Sequence, residues 1–140
     1  MSKVAVVYWS GTGNTETMAH AVADGARKAG ASSVDELPAD QFSPADVSKY
    51  DAIAFGCPAM GSEVLEEDTF QPMWDSVKGS LGGKKTVLFG SYGWGSGEWM
   101  DSWQADASAA GVNVVSTAIA NNEPDDDALA ECQELGKALA

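Results

Sequence analysis

The chain has 140 residues, of which 44% are hydrophobic, so we expect one globular domain, residues 1–140, that buries roughly two-thirds of the surface of its unfolded form. Its formal net charge of −13 argues against nucleic acids and anionic membranes as partners, because both are polyanions. No run of about 18 apolar residues and no signal-peptide pattern occurs, which favours a cytoplasmic protein without a membrane span.

The sequence opens with a predicted strand and a predicted helix. Residues 3–9 (KVAVVYW) are mainly β-branched and aromatic, which is typical of a buried strand. In residues 14–29, Met18, Val22 and Ala26 recur every fourth residue, as on the buried face of a helix. The loop S-G-T-G-N-T therefore lies between the carboxyl end of a strand and the amino end of a helix. Free N–H groups and the helix dipole favour an anion there.

The composition of this loop narrows the kind of anion. A nucleoside triphosphate loop needs a lysine after its last glycine, whereas here Asn14 follows Gly13. A dinucleotide loop needs a third glycine, and Glu16 stands in its place. The alternative to a ligand is an ordinary glycine-rich turn with a helix cap from Ser10 or Thr12. A single terminal phosphate suits the loop's amide and hydroxyl groups, which belong to Ser10, Thr12, Asn14 and Thr15.

Strands and helices continue to alternate along the chain. Further strands are predicted for residues 32–37, 51–56, 85–91 and 112–120, with a loop over residues 38–50 that holds at most one helical turn. Further helices are predicted through Met73, Trp74 and Val77, through Trp99, Trp103 and Ala107, and over residues 128–140. Five strands alternating with four or five helices predict an α/β fold, a three-layer doubly wound parallel sheet covered on both faces.

Three loops that follow predicted strands have distinctive compositions. S-G-T-G-N-T, P-A-M-G-S-E and Y-G-W-G-S-G follow the first, third and fourth strands, where ligands of such sheets bind. Met60 and Trp94 suit the two faces of a flat aromatic ring, unless both pack in the core. Glu63 either accepts a hydrogen bond from the edge of that ring or is a solvated acid at the start of a helix. One phosphate and one flat, hydrogen-bonding ring are the outline of flavin mononucleotide (FMN).

Over nearly its whole length the sequence resembles the flavodoxin family, in particular the short-chain flavodoxins of anaerobic bacteria. The motifs that carry this resemblance are Y-W-S-G-T-G-N-T, A-M-G-S-E, F-G-S-Y-G-W-G-S-G and N-E-P-D. The resemblance implies a five-stranded sheet of order 2-1-3-4-5, with FMN bound at the point where the winding reverses. It implies a low-potential one-electron carrier whose non-covalently bound FMN cycles between semiquinone and hydroquinone, with no metal and no catalytic residue.

The resemblance also implies roles for individual residues. Met60 matches the residue on the inner face of the flavin ring and Trp94 the residue on its outer face. Gly61 matches the residue whose carbonyl approaches flavin N5, and Glu63 matches the acid near flavin N3. The residues expected to bind FMN are Ser10, Gly11, Thr12, Gly13, Asn14, Thr15, Ala59, Met60, Gly61, Ser62, Glu63, Ser91, Tyr92, Gly93, Trp94 and Gly97.

Three other functions use related scaffolds. An FMN-dependent reductase needs a roomy pocket over the ring, where Trp94 leaves little space. A receiver-type signalling domain needs an acidic pair after its first strand, and a phosphatase of this shape needs C-x5-R there, but this sequence reads W-S-G-T-G. Cys57 and Cys132 lack metal-binding spacing and are expected to be buried or half-buried thiols.

The distribution of charge suggests the kind of partner. No Lys or Arg occurs in residues 50–77 or 86–136, whereas most of the acids lie between Glu63 and Glu134. We expect an acidic face around the ligand that includes Glu66, Glu67 and Asp68, although the acids have an alternative role in solubility alone. The expected partners are redox enzymes with basic docking faces, meaning ferredoxin-type donors and acceptors, and the protein itself is expected to be a monomer.

Overall fold

Five strands and five α-helices alternate along the chain in the computed structural model, which describes residues 3–11, 13–60, 64–93 and 97–140. The strands are β1 (Lys3–Tyr8), β2 (Ser33–Pro38), β3 (Ala52–Gly56), β4 (Lys85–Tyr92) and β5 (Asn113–Asn121). The helices are α1 (Asn14–Lys28), α2 (Pro44–Val47), α3 (Phe70–Val77), α4 (Glu98–Ala109) and α5 (Asp126–Leu139). Within the described residues, no helix has the length and apolar character needed to cross a membrane.

The strands form one parallel sheet in the order β2-β1-β3-β4-β5. This finding confirms the predicted fold class and strand order. Tyr8 at the end of β1 pairs with Gly56 at the end of β3, which pairs with Phe89 in β4, so β1 and β3 end side by side while β4 continues to Tyr92. The chain winds in opposite directions from β1 and β3, and the gap between their carboxyl ends is the switch point at which such sheets bind ligands.

Both faces of the sheet are buried, which explains why the central strands read as continuous apolar runs. On β1, Val4 and Val6 pack with residues of α1 and α5, whereas Ala5 and Val7 pack on the opposite side with residues of α3 and α4. Successive side chains of a strand point to opposite faces, so each face receives every second residue. Helices on both faces therefore require apolar residues at successive strand positions.

The segment between β2 and β3 has more helix than the sequence analysis predicted. It contains a 3-10 turn at Ala39–Gln41 and then α2, where one helical turn at most was expected. Helix α2 begins at a capping box, in which the Ser43 N–H donates to Asp46 Oδ2 at 3.0 Å. Pro44 occupies the first position of this helix. All other predicted element ends lie within one or two residues of the observed ones.

Helices α1 and α5 lie side by side and approach closely at two glycines. A Cβ atom on Gly136 would lie 2.0 Å from the carbonyl oxygen of Val22, and one on Gly25 would lie 2.0 Å from that of Gln133. No side chain fits in either place. The missing side chains therefore set the separation of the helices on this face.

Candidate functional site

A cleft of about 230 Å³ opens at the carboxyl edge of the sheet, beside the switch point. A second cleft, lined by α3, α4 and residues 64–65, is as large at about 250 Å³, so size alone does not identify the site. The first cleft is distinguished by the loops after β1, β3 and β4, which meet in it as the sequence analysis predicted. Its lining residues are Trp9, Gly11, Asn14, Pro58, Ala59, Met60, Ser91, Tyr92, Gly93 and Asn122.

The loop after β1 leaves backbone donors free at the start of α1. Gly13 has the left-handed φ of 94°, which glycine adopts without a steric penalty. Ser10 Oγ accepts hydrogen bonds from the N–H groups of Gly13 at 3.1 Å and Glu16 at 3.2 Å. Asn14 and Thr15 lie between these two residues in sequence, and their N–H groups have no acceptor in the described part of the chain. These two donors, at the positive end of the helix dipole, suit an anion.

A buried hydrogen bond joins the first loop to the end of β4. The hydroxyl oxygens of Thr15 and Ser91 lie 3.1 Å apart, and both residues are buried. The N–H of Ala59 donates to the Ser91 carbonyl at 2.9 Å, which adds the loop after β3 to the same set of contacts. Ser91 therefore connects all three loops at the base of the cleft.

The far side of the cleft is formed by the ends of β4 and β5. The Tyr92 ring packs on Trp99 with centroids 5.5 Å apart, and the Tyr92 carbonyl accepts the N–H of Asn122 at 2.6 Å. Asn122 is the only non-glycine residue with positive φ in the described part of the chain, at 59°. A Cβ atom on Gly93 would lie 3.5 Å from Asn122 Oδ1. The first residue after β5 thus completes the wall that begins with Tyr92.

The structure places most of the residues expected to bind FMN at or near this cleft. Ser10, Gly13 and Thr15 lie directly behind it, at the start of α1, while Gly97 caps the start of α4 with φ of 89° and does not line the cleft. Those in the lining are Gly11, Asn14, Ala59, Met60, Ser91, Tyr92 and Gly93. The expected site residues Thr12, Gly61, Ser62, Glu63 and Trp94 lie outside the described residues.

Three lining residues were not predicted from the sequence. Trp9 was assigned to the first strand, but β1 ends one residue earlier, at Tyr8. Pro58 precedes the predicted set on the loop after β3. Asn122 follows β5, and the loop after β5 lacks the glycine pattern of the other three loops. The feature that could have indicated Asn122 is its residue type, because asparagine adopts a left-handed φ more readily than most residues.

The titratable side chains most often used in catalysis lie away from the cleft lining. His20 is exposed on α1 and contacts Glu16 and Glu36. Burial raises the pKa of Cys57 and of Cys132 to about 12, so both thiols stay protonated at neutral pH. Among the described residues, no group of His, Cys, Asp and Glu side chains has the arrangement of a metal site.

Positive charge is confined to the edge of the molecule opposite the cleft. Helices run antiparallel to the strands here, so the first residues of strands and the last turns of helices share one edge. All eight basic residues lie at such positions or within two residues of them: Lys3, Arg27, Lys28, Lys49, Lys78, Lys84, Lys85 and Lys137. The carboxyl edge has only acids, among them Glu16, Asp68, Glu98, Glu123 and Asp125. The cleft therefore opens on the negative side of a strongly polarised molecule.

Comparison with known proteins gives a consistent result. A family model described as Flavodoxin matches residues 6–136. The chain is 48% identical over 137 residues to a flavodoxin of Megasphaera elsdenii, covering 98% of each chain, and 43% identical over 136 residues to one of Clostridium beijerinckii, covering 96% and 97%. The solution structure of two-electron reduced Megasphaera elsdenii flavodoxin superimposes with a TM-score of 0.90, at 48% identity and 97% coverage of both chains. A flavodoxin from the domain Archaea superimposes with a TM-score of 0.83, at 29% identity and coverage of 99% and 96%.

Proposed function

The chain belongs to the flavodoxin family, and on this premise we propose that it carries single electrons at low potential between redox enzymes on one non-covalently bound FMN. Flavodoxins bind FMN and act as electron carriers. The observation that carries the proposal is the convergence of the loops after β1, β3 and β4 on one cleft at the switch point of the sheet.

The first loop fits the phosphate of FMN. The free N–H groups of Asn14 and Thr15 point to an anion at the start of α1, and Ser10 Oγ holds the neighbouring donors in place. Every basic side chain lies at the opposite edge, so backbone dipoles and hydroxyl groups bind the phosphate without a lysine or arginine. We assign this role to residues 10–15.

The remaining lining fits a flat ring. Trp9, Pro58, Met60 and Tyr92 offer apolar and aromatic surface, and a Cβ atom on Gly11 would lie 3.1 Å from the Trp9 ring. When bound, FMN supplies the one-electron chemistry. The residues of the cleft bind it, orient it and shield one side of it from water. Met60, Gly61, Glu63 and Trp94 keep the ring-contacting roles that the family resemblance implies for them.

Negative charge supports a low reduction potential. The protein has a net charge of −13, and the cleft opens on the edge that has no basic residue. Adding an electron to a ring in this environment is opposed by the acids around it. Two unit charges about 10–15 Å apart interact with about 1 kcal/mol at an effective dielectric constant near 20, so several acids together lower the potential appreciably.

The cleft lining favours an electron carrier over an FMN-dependent reductase. Its described side chains are those of Trp, Asn, Pro, Ala, Met, Ser and Tyr, so the described lining has no carboxylate, imidazole or thiol that could transfer a proton to a substrate. A reductase would oxidise NADH without another protein. We expect no NADH consumption by the purified protein, and turnover only when a separate flavoprotein reductase is added.

One ligand comparison tests the proposal directly. We expect the purified protein to be yellow, and the apoprotein to bind FMN at least about 100-fold more tightly than riboflavin, because riboflavin lacks the group that accepts several charge-assisted hydrogen bonds at the start of α1. Dissociation constants follow from the quenching of flavin fluorescence. A colourless protein that FMN does not restore would contradict the proposal, and equal affinities would contradict the role of residues 10–15.

A further inference from the structure

Glu66 is a buried acid in a chain whose other described acids are half-buried or exposed. Only 5% of its surface is exposed, which overturns its expected place in the acidic face that meets a partner. A buried carboxylate is unfavourable unless nearby donors satisfy its oxygens. Its position therefore has to be explained by its contacts.

The contacts of Glu66 cap the start of α3. Its Oε2 accepts the N–H of Asp68 at 2.8 Å, and its Oε1 accepts those of Thr69 at 2.7 Å and Phe70 at 2.8 Å. The Glu66 carbonyl accepts the next N–H, that of Gln71, at 2.8 Å. Thr69, the N-terminal cap residue by position, provides no side-chain cap bond. Glu66 alone thus satisfies four successive backbone donors: those of Asp68 and Thr69 lie just before α3, and those of Phe70 and Gln71 are the free donors of its first turn.

The same residue is bonded to the root of the loop that lines the cleft. The Glu66 N–H donates to Cys57 Sγ at 3.3 Å, and Cys57 is the first residue after β3. The Cys57 carbonyl accepts the indole N–H of Trp99 at 3.2 Å, which fixes this root against α4. Between Cys57 and Glu66, the Met60 N–H donates to the Val64 carbonyl at 2.9 Å. Two hydrogen bonds therefore join the two sides of this loop: the inner one links Met60 to Val64, and the outer one links Cys57 to Glu66.

We propose that Glu66 is a positioning residue for the cofactor, which holds the start of the loop after β3 so that Pro58, Ala59 and Met60 form one wall of the cleft. It does not line the cleft itself, and it acts through α3 and Cys57. The inference rests on the proposed function, since it concerns the same cofactor, but it assigns a role to a residue that the cleft lining does not include.

Glu66→Gln tests this role, with Glu67→Gln as its charge-matched control. Glutamine keeps the shape of Glu66 but replaces one acceptor oxygen with an NH₂ group that faces backbone N–H donors. Glu67 is adjacent and exposed, and its carboxyl makes no hydrogen bond or ion pair in the described part of the chain. Both variants lose one negative charge at nearly the same place. A difference between them therefore reports the hydrogen bonds of Glu66 and not the loss of charge.

We expect Glu66→Gln to raise the FMN dissociation constant about tenfold or more, and Glu67→Gln to change it less than about threefold. The visible circular dichroism of bound flavin, which reports the geometry around the ring, should change only in Glu66→Gln. The midpoint potential of the first one-electron step should likewise shift in Glu66→Gln relative to Glu67→Gln. A residue that served stability alone would lower the urea midpoint of the apoprotein without changing the flavin signal or the potential.

A second pair of variants applies if Glu66→Gln does not fold. Cys57→Ala removes the acceptor of the Glu66 N–H, whereas Cys57→Ser keeps an acceptor at the same position. We expect the alanine variant to change the flavin circular dichroism and the serine variant to restore most of the wild-type signal. The inference would be overturned if the wild type binds FMN but Glu66→Gln and Glu67→Gln give the same flavin circular dichroism. The same conclusion would follow from equal flavin circular dichroism in the two Cys57 variants. If the wild-type protein does not bind FMN, that result would contradict the proposed function and not this inference.

Discussion

Gly13 shows how one residue determines the shape of the phosphate loop. Its φ of 94° lies in the left-handed region, and a Cβ atom there would meet no atom within 4 Å. The need for glycine therefore comes from backbone conformation and not from a lack of space. Because Gly13 is the N-terminal cap of α1 and its N–H donates to Ser10, this conformation also determines where the free donors of the first turn lie.

Gly13→Ala should lower the free energy of unfolding by about 1–2 kcal/mol, the energy that an L-residue requires in the left-handed region. FMN affinity should fall as well, because relief of the strain moves the donors. Gly79→Ala is the matched control, since its Cβ would also meet no atom within 4 Å but its φ is not positive. Urea unfolding of both apoproteins measures the difference, and equal midpoints for the two variants would contradict this account.

At the scale of elements, the close approach of α1 and α5 is set by Gly25 and Gly136. Each glycine faces a backbone carbonyl of the other helix at a distance that excludes a methyl group. Both helices pack on the sheet face that contains Val4, Val6 and Phe89. Any increase in their separation would therefore open that half of the core.

Gly136→Ala should destabilise the protein by about 1–3 kcal/mol, because the added methyl overlaps the Val22 carbonyl and the helices must separate. Lys137→Ala is the control on the same helix, since the ion pair of Lys137 with Glu134 is exposed and contributes little. Thermal or urea unfolding of the two variants provides the test. If Gly136→Ala is no less stable than Lys137→Ala, the two helices do not depend on this contact.

Asp106 joins α3 to α4 and provides a pH-dependent contact. The indole N–H of Trp74 donates to Asp106 Oδ2 at 2.8 Å, and Lys78 Nζ lies 3.0 Å from the same oxygen. The Trp74 hydrogen bond is the main cause that lowers the pKa of Asp106 below its ordinary value of 3.8, and Lys78 adds to this effect against the opposing effect of burial.

Because the pKa of Asp106 is lower in the folded protein, its stabilising effect is complete above the unfolded pKa and is lost as the pH falls through the folded pKa. Asp106→Asn should therefore be less stable than the wild type at pH 7, and this difference should shrink below about pH 4. Urea midpoints measured from neutral to acidic pH give the comparison. A difference that is constant over this range would mean that the charge of Asp106 has no part in the contact.

At the scale of the whole molecule, the two edges of the sheet differ in charge. All eight basic residues lie at the edge opposite the cleft, while the cleft edge has acids alone. Such a distribution orients a charged partner before contact and increases the rate of association at low salt. We infer that the partner presents a basic face to the cleft edge.

Electron transfer to a basic c-type cytochrome, used as a probe, should slow as the salt concentration rises. Neutralising three acids of the cleft edge, Asp68→Asn, Glu98→Gln and Glu123→Gln, should reduce both the rate at low salt and its dependence on salt. The control removes three acids toward the opposite edge, Asp24→Asn, Asp75→Asn and Glu134→Gln, and so gives the same net charge. Stopped-flow rates that respond equally to the two triple variants would show that only total charge matters.

Local patterns in the sequence predicted the α/β fold class and the loops that meet at the cleft, whereas the strand order came from the family resemblance. Alternating apolar runs and helical spacings predicted every strand and, apart from the segment between β2 and β3, every helix, because both periods are properties of neighbouring residues. The loop of residues 10–15 predicted a phosphate site, because the ends of a strand and a helix determine which backbone donors are free. These inferences need no knowledge of which residues meet in space.

Only the tertiary structure decided which residues distant in sequence lie together. Asn122 joins a cleft whose other residues begin at Trp9, and Ser91 connects three loops through Thr15 and Ala59. In the sequence Glu66 resembles the surface acids around it. Its burial becomes evident only from the structure, in which its carboxylate accepts the N–H groups of Thr69, just before α3, and of Phe70, the first residue of α3. The sequence shows segments without basic residues, but it does not show that all eight basic residues share one edge. They do so because the beginnings of parallel strands and the ends of antiparallel helices meet there, and that edge exists only once the chain has folded.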